Sequence, residues 1–210
     1  MLVRPMKLLL IWLLLLLQMN LLSATAQETP APITSTSDQH ASQPSAMKRR
    51  EPSAEMQKLF SAFLGTWSVV ENYEPSEMMP KGATGQGEEV YRAGPGGASM
   101  IEEIHLQEAA GEVSGLGVAW WDQKAQGYRA LWCESHNPNG CITMAHLAKW
   151  DGDQFVLGDE FERNGKKFVF KEVLSEITPT SFTQTLYQGE AGKELKRLLT
   201  IHATRSRQQR

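Results

Sequence analysis

Cysteine is almost missing from this chain, and so is every short pattern that usually carries catalysis. There are 2 cysteines, Cys133 and Cys141, and 5 histidines, His40, His105, His136, His146 and His202. A thiolate metal cluster is therefore excluded, and His136, the imidazole near the cysteines, stands at a spacing that fits no zinc pattern. No serine sits in a nucleophile elbow, no glycine-rich loop has the form of a phosphate cradle, and no His-x-x-x-His pair occurs. Gly94-Pro95-Gly96-Gly97 is a glycine cluster of turn type. Positive charge is not in excess either, since the formal net charge is -3. That excludes the basic surface that nucleic-acid binding needs. No enzyme activity, metal or cofactor is expected on these grounds.

The one long apolar run lies at the N-terminus. Arg4 and Lys7 precede an uncharged, leucine-dominated run over residues 8–17, and a more polar stretch ends in Ala24-Thr25-Ala26. Positive start, short apolar core and small-x-small exit read as a signal peptide over residues 1–26, cleaved before Gln27. The apolar run is about half the ~20 residues of a bilayer span. The alternative is an uncleaved anchor that extends across Gln18 and Asn20 to Leu22. No cysteine near the site offers a lipid attachment point. Cleavage removes Arg4 and Lys7 and takes the net charge from -3 to -5. The expected location is extracytoplasmic, periplasmic or secreted, with no stable membrane insertion after cleavage.

Residues 27–53 are rich in Ser, Thr, Pro, Gln and Ala and cannot bury enough surface to offset their ordering entropy, so they read as a disordered spacer. Residues 54–205 have the length of one domain with a substantial core, and residues 206–210 form a short tail. Over 54–64, Met56, Leu59, Phe60 and Phe63 recur at helical spacing, with Ser53 and Gln57 placed to cap the start and Gly65 to end it.

Beyond Gly65 the period becomes two. Strands are expected at 66–73, 87–92, 99–107, 114–121, 128–134, 141–150, 154–162, 167–176, 181–187 and 195–204. Between them stand explicit turn signals, among them Asn137-Pro138-Asn139-Gly140, Asp151-Gly152-Asp153 and Asn164-Gly165. About ten short strands without intervening helices predict an all-β, antiparallel up-and-down barrel with a short N-terminal helix, because closing such a meander removes its edges. A β-sandwich is the alternative. The strand over 99–107 puts Met100, Glu102, Ile104 and Leu106 on one face, and that over 167–176 puts Phe168, Phe170, Glu172 and Leu174 together. Carboxylates among hydrophobes suit a partly hydrated lumen better than a dry two-sheet core.

Two signals conflict around the cysteines. An even cysteine count in an oxidising compartment favours a Cys133–Cys141 disulfide. A tight hairpin at Asn137-Pro138-Asn139-Gly140 would instead pair Asn137 with Cys141 and hold the thiols beyond the ~7 Å limit for bridging. A wider loop closed at its base by the disulfide is the favoured expectation.

A short helix leading into Leu64-Gly65-Thr66-Trp67 and then a long meander resembles the calycin superfamily of lipocalins and fatty-acid-binding proteins. There a Gly-x-Trp on the first strand packs its tryptophan across the closed end of the barrel, and Gly65 and Trp67 match it. Gly115-Leu116-Gly117 entering Trp121-Asp122, then Tyr128 and Trp132, is similar to a bacterial lipocalin-like family known as domain of unknown function number 1579. The resemblance implies a fold for residues 59–205 and no established activity. A barrel of this size commonly encloses a cavity, so the expected function is binding of a small apolar ligand. Candidate lumen residues are Glu102, Trp121, Trp132, Met144, His146 and Phe161. The alternative is a protein-interaction module whose lumen is filled by its own side chains. His202 occupies the last strand, where one haem-binding calycin keeps its iron ligand, but no matching motif surrounds it, and a carboxylate-rich lumen disfavours an anionic porphyrin. Haem is not expected to bind.

Overall fold

In a computed structural model, residues 51–76, 79–108, 111–138 and 140–207 are described. The expected signal peptide and all but the last three residues of the expected spacer lie outside the described residues.

Helix α1 (Ala54–Phe63) starts where the Ser53 hydroxyl accepts from the Met56 amide at 3.2 Å, with Glu55 in the first turn. Its buried stripe is Met56, Leu59 and Phe63. The strands follow: β1 (Gly65–Tyr73), β2 (Ala83–Ala93), β3 (Met100–Glu108), β4 (Gly111–Asp122), β5 (Gly127–Glu134) and β6 (Cys141–Thr143). The remainder are β7 (Lys149–Asp151), β8 (Gln154–Arg163), β9 (Lys166–Ser175), β10 (Ser181–Glu190) and β11 (Lys196–Arg205).

Every ladder is antiparallel, and the order is β6-β5-β4-β3-β2-β1-β11-β10-β9-β8-β7. Apart from β6 and β7, each strand pairs with its sequence neighbours, and β1 pairs with β11, so among the described residues the meander curls into a ring with a seam between β6 and β7. Across the seam runs an isolated bridge between Tyr128 and Ala148, with amide bonds of 2.9 and 2.8 Å, while a 2.9 Å bond from the Met144 amide to Ala130 O extends the β5–β6 ladder.

Two expectations need correction. The strand expected over 141–150 is two three-residue strands, because the chain bends at residues 145–146 where the sheet edge ends. The second strand begins at Ala83 rather than residue 87. Gly85 and Gly87 both lie inside the ladder, where close neighbours leave no room for a Cβ. At Gly87 a Cβ would lie 2.8 Å from the Leu106 Cα.

The α1 end of the ring is filled by aromatic rings. Phe63 lies edge-on to Phe182 at 5.4 Å and stacks on Trp150 at 6.2 Å, while Tyr128 meets Phe155 edge-on at 5.2 Å. The Tyr128 hydroxyl donates to Glu55 O at 2.8 Å, which ties the helix to β5. Trp67 is fully buried among these rings, edge-on to Phe182 at 4.7 Å, and its Nε1 donates to Phe63 O at 2.7 Å. This end is shut.

Candidate functional site

Above the aromatic floor the ring encloses a cavity of about 720 Å³. Period-two alternation decides what faces it. Once Trp67 points inward, Val69, Glu71 and Tyr73 follow on β1, and the same parity turns Glu89 and Tyr91 inward on β2. From β3 come Met100, Glu102, Ile104 and Leu106, from β9 Phe170, Glu172 and Leu174, and from β10 Gln184 and Leu186. The walls are thus mainly apolar, with a band of carboxyl groups among them.

Gly115 and Gly117 on β4 make the space for two larger neighbours. In register, Glu102 pairs with Gly117 and Gly117 with Trp132. A Cβ at Gly117 would stand 2.7 Å from Glu102 Oε2, and one at Gly115 would stand 2.8 Å from the Trp132 ring. The glycine pair therefore admits the Glu102 carboxyl and the Trp132 indole, whose Nε1 donates to Glu134 Oε2 at 3.2 Å.

The polar centre is a bridge through Tyr91. Its Oη lies 3.0 Å from Glu89 Oε2 and 2.9 Å from Glu102 Oε1, and Gln184 Nε2 donates to Glu89 Oε1 and Oε2 at 3.1 and 2.9 Å. A hydroxyl has one proton to give. With both carboxyls ionised, one of the two short contacts would set lone pair against lone pair, so the arrangement requires that Glu89 or Glu102 be protonated. Electrostatics agree. Burial, and then the Glu102 charge, pushes Glu89 well above the usual carboxylate range, and burial likewise raises Glu102. Glu172 is pushed up to about 8 by burial and by Glu102. Glu71 is pushed up to about 7 by burial and by Glu108, and its Oε2 has no hydrogen-bond partner.

Of the residues singled out from sequence, Glu102, Trp132, Met144 and Phe161 line this cavity, Phe161 at the rim, where its ring stacks on Phe168 at 5.6 Å. Trp121 and His146 do not. Trp121 lies one level down, edge-on to Tyr128 at 5.0 Å with its Nε1 donating to Gln123 Oε1 at 3.1 Å. His146 is exposed on the bend between β6 and β7, because the strand that would have aimed it inward is broken there. His202 is exposed on the outer face of β11, 3.4 Å from Thr183 Oγ1, so a ligand bond from it would not reach the lumen. Glu71, Tyr91 and Gln184 were missed. The signal for Glu71 was the parity set by Trp67, four residues earlier on the same strand.

Cys133 and Cys141 are register partners on β5 and β6, joined by a disulfide with Cα atoms 4.0 Å apart. The wider loop forms, and Gly140 closes only a local turn by donating to Asn137 O at 3.0 Å.

Fold and lumen together define a lipocalin- or calycin-like antiparallel β-barrel. Among solved structures, that of Rv2717c from M. tuberculosis aligns with a TM-score of 0.50 at 15% identity, over 75% of this chain and 100% of that one. A redesigned β-barrel, mFAP0, bound to DFHBI, aligns with a TM-score of 0.37 at 13% identity, over 68% of this chain and 97% of that one. No family model and no curated protein matches the sequence, so the likeness to domain of unknown function number 1579 gains no support.

Proposed function

We propose that the protein reversibly binds a small, mostly apolar ligand in the lumen of its barrel, outside the cytoplasm. The observation that carries this reading is the cavity, whose volume of about 720 Å³ falls within the range of ~300–1,000 Å³ typical of ligand pockets. A module that merely presents an outer surface to a partner would fill that space with side chains. The rim supports the same reading. Ile142, Phe161 and Leu198 are large apolar residues left 40%, 37% and 38% exposed, and all three border the cavity. Exposed apolar side chains grouped at a cavity mouth are a feature of binding sites. Export rests on the N-terminal sequence and accords with the Cys133–Cys141 disulfide, which suits an oxidising compartment.

Native mass spectrometry of protein purified from its own host tests the first claim. A co-purifying mass that Leu186→Trp removes, with the fold intact, is the expected result. Bare protein that also ignores a neutral fluorescent probe such as N-phenyl-1-naphthylamine would overturn it. For export, N-terminal sequencing of extracytoplasmic protein should begin at Gln27, and a start at Met1 would refute cleavage.

A further inference from the structure

The lumen has charge of one sign only. Eight acidic residues line it, and among the described residues no lysine or arginine does. Glu74, at the rim, is neutralised by Arg197, whose Nε lies 2.7 Å from its Oε1. His136 sits at the exposed mouth. The deeper carboxyls have no cation. Glu89 and Glu102 share Tyr91, and Glu172 has no hydrogen bond to the protein. Glu71 is 2% exposed and lines the cavity, and its Oε2 is buried without a hydrogen-bond partner.

A buried polar atom without a partner is costly, and a native fold rarely keeps one without a use. Tyr73 gives the Glu71 carboxyl one hydrogen bond, and beyond it the protein offers no donor for Oε2, so the partner of that oxygen has to come from the cavity. A neutral hydrogen-bond donor would satisfy one oxygen. A cation would satisfy several carboxyls at once and would relieve their mutual repulsion, an interaction strengthened by the low dielectric of the site.

We propose that the ligand is a cationic amphiphile, a protonated amine on a hydrocarbon body, with its head against Glu71, Glu89, Glu102 and Glu172 and its body along Ile104, Leu157 and Leu186. This deepens the lumen-binding reading and rests on it. The apolar walls account for the body, and the unmatched carboxyls account for the head. An anionic amphiphile of the same length would meet repulsion at the same place.

Isothermal titration calorimetry with decylamine, decanol and decanoate on the full mature chain separates the possibilities. Decylamine should bind at least ~tenfold tighter than decanol, and decanoate weakest of the three. In the Glu102→Gln/Glu172→Gln double variant that advantage should fall to within ~threefold, with a circular dichroism spectrum matching the native one as the report of an intact barrel. Equal binding of decylamine and decanol to the native protein would overturn the cationic head and leave the lumen-binding reading standing. Failure of all three to bind would overturn both. An amine preference untouched in the double variant would show that the carboxyl cluster is not its source, and that too would overturn the inference.

Discussion

The guanidinium of Arg205 lies over the Trp67 indole, its Cζ 4.1 Å from the ring centroid, while its Nη1 donates to Leu64 O at 2.8 Å. The two residues are also register partners, on the first and last strands of the ring. One contact thus fastens the start of the sheet to its end and covers the floor beneath the cavity.

Trp67→Ala should cost roughly 3–5 kcal/mol, because it removes a fully buried ring and orphans Phe63 O. Trp67→Phe should cost less, since most of the apolar contact remains. Arg205→Ala should cost about 1 kcal/mol, the scale of a partly exposed cation–π contact. Urea midpoints measure all three, and a change for Trp67→Ala within about 0.5 kcal/mol would contradict the buried plug.

Stability should decline as the solution is made alkaline from mildly acid conditions. Unfolded, each lumen glutamate ionises at its ordinary value near 4.5, whereas in the fold Glu71 does so at about 7 and Glu172 at about 8. Between those limits the folded state keeps protons that the unfolded state has released, so the contribution of these two groups to stability is full below pH 4.5 and is lost as pH rises through 7 to 8. Glu71→Gln should gain on the order of 1–3 kcal/mol above that window and flatten the slope within it. Thermal unfolding across pH reads this directly, and a profile that rises towards pH 8 would contradict it.

Tyr91→Phe removes the hydroxyl shared by Glu89 and Glu102 and should destabilise by roughly 1–3 kcal/mol, the cost of stranding buried polar groups. Because the Tyr91 hydrogen bond favours the ionised form of the carboxyl that accepts it, ionisation of the pair should move higher still in the variant. Carbon-13 NMR titration of glutamate side chains would detect the shift, and unchanged titration would rule out the bridge.

The Cys133→Ser/Cys141→Ser pair should lose about 2–3 kcal/mol, as expected for releasing so short a loop. The loss should be largest near the rim, since Ile142 on the tethered strand lines the cavity mouth. Hydrogen exchange at β6 measures it, and protection equal to that of the native protein would show the tether to be idle.

Much of this architecture was legible from residues alone. Period-two runs between Gly, Asn and Asp turns marked nine of the strands, and Ser53 with the Met56–Phe63 stripe marked the helix. Placing Glu102 with Met100 and Ile104 on one face already put a carboxyl on the inner wall. What could not be read was convergence. Glu89 and Glu102, on neighbouring strands, meet Glu172 only because the distant strand β9 curves around the same axis, and no local pattern encodes curvature. The bend at residues 145–146 was hidden for a similar reason, since it answers to where the sheet stops rather than to a turn residue. Trp121 obeyed the alternation but lies beneath the cavity, because position along the barrel axis depends on strand stagger.

The break in the hydrogen-bonded ring between β6 and β7 gives the barrel a preferred place to come apart. A continuous cylinder has no weakest meridian; this one does, and a three-residue strand borders it on either side. Amides at 141–151 should exchange by small local openings, while those of the β1–β11 ladder should exchange only with global unfolding. The seam runs beside Met144, so the wall that yields most easily is also a wall of the cavity. A guest wider than the mouth would then have a sideways door held by one bridge, while the disulfide keeps β6 on β5 as the door's fixed jamb.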